Sequence, residues 1–196
     1  MSLHLSPEEA ALFTDPHLFA VKRRTTDKLY AGFEALRLRL KDTGERLQIS
    51  FPEEVLSVSA KISKGEQYMG CPWVMLDHHR YFVGKDMFAF RVMAWFGHYF
   101  SAHFLLGGRY LEASTFTSDH FPGRDIQFSL HPDPWAHAVE PPFTVPLYSL
   151  TQDQYTDHIS KHQYQKISIQ IPTTDLEELK DKVDAFYVVC MQSWKP

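Results

Sequence analysis

The sequence predicts an α+β domain: a mostly antiparallel sheet with N-terminal helices and a C-terminal helix packed on it. Three observations carry this expectation. Helix-start signals and 3.6-residue apolar spacing gather at the two ends of the chain. Alternating or continuously apolar runs fill the middle. No regular strand–helix–strand order appears, so a parallel sheet is not expected. With 196 residues, at roughly 100–200 residues per domain, the chain reads as a single domain over 1–196.

The N-terminal third is helical. Ser6-Pro7-Glu8-Glu9 is a helix start, with Ser6 as N-cap, Pro7 at the first helical position and Glu9 placed to close a capping box. Asp15-Pro16 repeats the signal. Leu29, Phe33, Leu36 and Leu40 then mark one apolar face, and Gly44 is the expected stop.

The middle reads as strands. Val58, Ala60 and Ile62 alternate with polar residues up to Lys64-Gly65, as in a half-buried strand. Pro72–His78 is apolar on both faces and suits a central strand. Met87–Leu106 is 20 residues with one formal charge. As one straight strand it would run about 66 Å at ~3.3 Å per residue, twice the diameter implied by a radius of gyration of roughly 16 Å. It must therefore bend or turn near Gly97-His98. It is long enough to cross a bilayer, but Arg91 inside it, with Gly97, His98, Ser101 and His103, argues against a span. Gly107-Gly108 is the next turn, and Arg109–Ser114 returns as a strand or a short helix.

Six of the 12 prolines fall between 122 and 146, which rules out a long helix or a central strand there and predicts a stiff extended segment laid over the domain. Within it, Ile126, Phe128 and Leu130 alternate. Ile167, Ile169 and Ile171 alternate with Lys166, Ser168 and Gln170, as in a strand with one wet face. Pro172 ends that strand. Thr174 with Glu177 predicts a capped helix whose stripe is Leu176, Leu179, Val183, Phe186 and Cys190.

Composition narrows the function classes. Twenty Lys+Arg against 24 Asp+Glu give a net charge of −4, so no nucleic-acid partner is expected. Cys71 and Cys190 are too few for a disulfide framework, and each reads as a buried thiol. The N-terminus lacks a signal-peptide pattern, so a soluble cytoplasmic protein is the expectation. No cofactor motif is present: no GxGxxG, no P-loop, no GxSxG and no HExxH.

The stretch GCPWVMLDHHRYF, followed by DMFAFRVMAWFGHYFSAHFLLGGRY, resembles a bacterial protein family without assigned function. The resemblance covers Gly70 to Tyr110 and implies no activity and no residue roles.

Eleven of the 28 aromatic residues lie between 67 and 106, which makes this the centre of the core. Polar residues inside it are the oddity. If the chain runs as one bent strand, Arg91, Trp95, Tyr99, Ser101 and His103 share a face. Such a face would suit a small anionic or aromatic ligand, with the Pro-rich segment over its mouth. If Gly97-His98 is a two-residue turn, residues 96 and 99 pair, Arg91 faces Phe104, and His103 moves to the other face. Arg91 cannot be buried unpaired; a ligand anion or an acidic side chain must satisfy it.

Two function classes stay open. One is a non-enzymatic small-molecule-binding or interaction domain with an aromatic pocket on the sheet, or an aromatic face for a homodimer. The other is a hydrolase-type enzyme using a His/Asp cluster, with or without metal. For the metal alternative, Asp77 and His79 would share a strand face with His78 pointing away, and His98, His103 or His120 would add a third ligand.

Overall fold

The structure is a computed structural model and describes residues 3–112 and 125–194. Among the described residues there are five α-helices: α1 (Pro7–Thr14), α2 (Pro16–Arg46), α3 (Glu53–Leu56), α4 (Gln152–His162) and α5 (Leu176–Ser193). The seven strands are β1 (Lys61–Tyr68), β2 (Cys71–Val83), β3 (Asp86–Trp95), β4 (Phe100–Gly107), β5 (Ile126–Ser129), β6 (Thr144–Pro146) and β7 (Tyr164–Ile171). All lie in one sheet of order β1-β2-β3-β4-β7-β5-β6, and every described pairing is antiparallel. The expected α+β architecture, with helices from both termini on the sheet, is the one observed.

The helix ends follow their local chemistry. Ser6 and Glu9 form the capping box of α1, and Asp15 accepts from the amides of His17 and Leu18 to cap α2. Helix α2 does not stop at Gly44. It continues to Arg46, and Gly44 is where the helix passes closest to Tyr187: a Cβ there would lie 3.1 Å from the tyrosine hydroxyl. Asp175, not Thr174, caps α5, because its carboxylate reaches the amides of both Glu177 and Glu178.

One face of the sheet carries the main core. Val74, Leu76, Phe88, Phe90, Val92, Ala102, Phe104 and Ile167 pack against Leu29, Phe33, Leu36 and Leu40 of α2 and Leu179, Val183, Phe186 and Cys190 of α5. The expected helical stripes are thus the buried ones. Leu179→Ala is expected to destabilise by about 2–5 kcal/mol in urea melts, as for a fully buried leucine. Lys180→Ala loses an ion pair to the exposed Glu177 and some packing of its stem, and is expected to cost about 1 kcal/mol, well below Leu179→Ala.

The second face is covered by a strap, residues 131–139. Its fit corrects one expectation: Lys166 and Ser168, assigned to a wet face of β7, are each 2% exposed beneath it. The Pro-rich stretch also contains an interior strand, contrary to expectation. Proline-free β5 inserts between β7 and β6, while Pro146 sits on edge strand β6. On the other side of the sheet, β1 begins only at Lys61 and runs past Gly65 through an irregularity. Cys71 is half-buried rather than buried. Gly108–Tyr110 is a 3-10 turn that continues as a bend and turn at Leu111 and Glu112; Ala113 and Ser114, with Asp119, His120 and Pro122, lie outside the described residues. No described helix is long and apolar enough to cross a membrane.

Candidate functional site

The connection after β3 decides where the sequence-predicted site residues go. Trp95 donates its amide to the Tyr99 carbonyl at 3.1 Å, and Gly97 takes φ 79° in the turn between them. The loop therefore has three residues, not two. Arg91 pairs with His103 and Met93 with Ser101. Arg91, Trp95, Tyr99, Ser101 and His103 share one face, as in the bent-strand reading, although the chain turns as a hairpin.

That face holds a closed polar network under the strap. Arg91 donates from Nε to Asp77 Oδ1 at 2.7 Å, and its guanidinium lies 5.1 Å from the centre of the Trp135 ring. The acidic partner of Arg91 is thus Asp77, in the position where a ligand anion was the other expectation. The His103 ring lies 2.8 Å from Ser101 Oγ and 2.7 Å from Ser168 Oγ. Lys166 donates from Nζ to the carbonyls of Pro134, at 2.9 Å, and Ala136. Tyr68 and Tyr99 accept the amides of His137 and Val139. Burial, reinforced by Lys166 and Arg91, holds His103 well below the ordinary imidazole pKa. Burial and the neighbouring His103, Arg91 and Lys166 do the same to His137. Burial and Arg91 bring Lys166 down to about 7, against the pull of Asp133. The strap residues occupy the place where a ligand was expected, and the network fastens the strap to the sheet.

Trp95 and Tyr99 face a cavity as well. With His98, which stacks on Trp95 at 3.5 Å, they line a space of about 350 Å³ that continues to Thr25, Leu29 and Leu176.

The residues of the metal alternative are not brought together. A β-bulge in β2 explains why. Asp77 pairs with Arg91 but His79 pairs with Phe90, so His78 is the extra residue. The bulge turns His79 away from Asp77 and onto the helix-covered face, overturning the expectation that the two share a face. Asp77 lies under the strap, His79 against α5, and His98 in the β3–β4 turn. Among the described residues no group of three His, Cys, Asp or Glu side chains could hold a metal ion.

The bulge also builds the most site-like feature of the molecule. His78 and His79 both reach Tyr187 of α5: the His78 ring lies 5.5 Å from the tyrosine ring, and His79 Nε2 lies 2.9 Å from its hydroxyl. Phe51 packs on His79 at 4.5 Å between centroids. These rings form one wall of a cavity of about 430 Å³ between α2, α3 and β2. Ile49, Val55, Leu56, Val58 and Ala60 supply apolar wall, and Arg37, Lys41 and Glu45 sit around it. His78 Nδ1 is buried and has no hydrogen-bond partner among the described residues.

Both imidazoles are neutral at pH 7. Burial, with a contribution from Arg37, brings His78 down to about 4. Burial, then the neighbouring His78, holds His79 well below its ordinary value. Burial raises the Tyr187 phenol, so it stays protonated and available as a donor. Aromatic and apolar walls, a phenol and two uncharged imidazoles suit hydrogen bonding to a largely apolar molecule. Sequence reasoning missed Phe51, Tyr187 and α3. The signal for α3 was Pro52 followed by Glu53-Glu54. Tyr187 stood beside the Phe186 stripe and carried no signal of its own.

Comparison of the chain with family models, curated proteins and solved structures yields no match. The functional reading therefore rests on the geometry.

Proposed function

We propose that the chain is a small-molecule-binding domain whose ligand lies in the cavity between α2, α3 and the β2 bulge. The ligand is small, mainly apolar or aromatic, and carries one hydroxyl or amide group that hydrogen-bonds to His78. The carrying observation is a buried His78 Nδ1 without a described partner, on a ring that lines a 430 Å³ space. Leaving such an atom unpaired costs about 1–3 kcal/mol, and a polar group on a ligand removes that cost on binding. The volume lies within the roughly 300–1,000 Å³ usual for ligand sites. The aromatic side of the expected ligand chemistry is favoured over the anionic side. Arg91 already holds Asp77, and at the cavity mouth Glu34 and Glu45 offset Arg37 and Lys41.

Ligand-observed NMR with phenol and benzamide tests the reading. Both are expected to bind the wild type and to shift the imidazole signals of His78. His78→Phe keeps the ring and removes the orphan nitrogen. It is expected to be at least as stable as wild type and to lose phenol binding. Ala60→Trp, which fills the cavity from β2's neighbour, is expected to exclude both probes. Binding that survives both substitutions, or no binding to the wild type, would overturn the proposal.

A further inference from the structure

The molecule carries an apolar surface that its own fold does not use. No residue of α1 is buried, and the first buried residue of α2 is Leu29. Pro16–Lys28 therefore forms a helical arm about 20 Å long, at 1.5 Å per residue, in which no residue is fully buried and Lys22 and Thr26 are half-buried. The segment from Leu3 to Val21 carries more apolar side chains than a solvated helix needs. Leu3 (99% exposed), Leu5, Leu12, Phe13 (77%), Leu18, Phe19 and Val21 are half of the 14 exposed large hydrophobic residues. The concentration matters because scattered exposed apolar residues are ordinary, whereas a contiguous set marks an interface.

Charge identifies the surface. Residues 3–16 contain Glu8, Glu9 and Asp15 and no lysine or arginine, a formal charge of −3. Residues 17–28 contain Lys22, Arg23, Arg24 and Lys28 against Asp27, a formal charge of +3. Lys22 is paired with Glu66, but Arg23, Arg24 and Lys28 make no ion pair among the described residues. A 14-residue acidic segment thus adjoins a 12-residue basic one. Two such arms laid antiparallel match each acidic segment to the other's basic one, and the contact is isologous, as two-fold dimers require.

Area agrees with this. At roughly 150–200 Å² for a fully exposed large side chain, the seven residues offer on the order of 700 Å², close to the ~800 Å² per partner of a standard interface.

We infer that the chain forms a two-fold homodimer by exchange of N-terminal arms. The acidic α1 of each copy lies on the basic start of the other copy's α2. The inference is independent of the ligand cavity, which lies on the α3 side.

Sedimentation equilibrium of the full chain tests it. A dimer is expected that weakens at least tenfold in Kd in Phe13→Asp, a position that is not buried in the chain's own fold. The charge pairing is tested by E8K/E9K and by R23E/R24E. Each alone is expected to weaken the dimer tenfold or more, and an equimolar mixture of the two is expected to form a heterodimer. Circular dichroism melts verify that every variant is folded. A monomeric wild type at 100 μM (an experimental setting of the order of ~10⁻⁴ M, above which weak association has little meaning) would overturn the inference. So would a dimer indifferent to Phe13→Asp and to both charge reversals. Cosedimentation of a monomer with vesicles of phosphatidylserine and phosphatidylcholine, lost in Phe13→Asp, would assign the arm to a membrane surface instead and equally overturn it.

Discussion

Replacing Arg91 by methionine is expected to destabilise the protein by about 3–5 kcal/mol, one of the largest effects of any single substitution. Methionine preserves the aliphatic stem and most of the packing against Phe82 and Trp135. What it removes is the charge facing Asp77. Asp77 is 7% exposed, and its carboxylate takes the Arg91 Nε–H at 2.7 Å. Without the guanidinium, a buried carboxylate has no counter-charge, and it must take up a proton or draw in water by loosening the strap.

The same reasoning predicts a rescue. Asp77→Leu combined with Arg91→Met removes both charges, and exchange of a buried pair for apolar residues is often neutral or stabilising. The double variant is expected to recover most of the loss, giving a coupling energy of at least ~2 kcal/mol in a urea double-mutant cycle. An Arg91→Met variant as stable as wild type would show that Asp77 finds enough compensation elsewhere. Additive losses would show that the two side chains do not act as a pair.

The parts of this fold that were legible in the sequence are those governed by a short-range rule. Ser6 with Glu9 and Asp15 with Pro16 specify helix starts within four residues, and the caps are found there. Leu179, Val183, Phe186 and Cys190 repeat at helical spacing and are all buried. Thr151 with Gln154 offered an equally local signal for α4, a capping box that reading of the strands alone passed over.

The rest depends on contacts between distant segments. Lys166 and Ser168 alternate with isoleucines as solvent-facing residues do, and only the strap, some thirty residues earlier in the chain, makes them interior. The β3–β4 register turned on one residue of loop length, which decides whether Arg91 meets His103 or Phe104. The candidate site was the least legible part. It depends on an extra residue at His78, and a bulge leaves no mark on the pattern Asp77-His78-His79 that distinguishes it from a regular strand. That one residue separates Asp77 from His79 by the thickness of the sheet, and it dissolves the His/Asp cluster that the sequence suggested.

Acid is expected to unfold the protein steeply, at a higher pH than carboxylate protonation alone would require. Five histidines are the reason. Burial brings His78 and His158 down to about 4, and holds His79, His103 and His137 well below the ordinary 6.5. Above pH 6.5 these imidazoles are neutral in both the folded and the unfolded chain, and they leave stability unchanged. As the pH falls below 6.5, the unfolded chain takes up protons that the folded chain refuses, for His78 and His158 until about 4, so stability falls throughout that window. Each histidine then contributes a loss of about 1.4 kcal/mol per pH unit. Acting together over one to two units, five of them approach the ~5–15 kcal/mol total stability of an ordinary domain. The expected acid midpoint is therefore roughly pH 4.5–5.5, with several protons taken up across the transition. Lys166 extends the slope on the alkaline side. Its folded value of about 7 lies below the ordinary 10.5, so the unfolded chain holds the extra proton from pH 7 upward and stability rises as the pH is raised to about 9. Urea melts at half-unit intervals from about pH 3 to about 9 measure both limbs. His158→Phe, which places an apolar ring among Phe128 and Tyr164 and removes a buried nitrogen without a described partner, is expected to shift the acid midpoint downward. Lys166→Met is expected to flatten the alkaline limb. A midpoint below pH 4 in the wild type, or an unchanged midpoint in His158→Phe, would show that carboxylates rather than buried imidazoles set the acid limit.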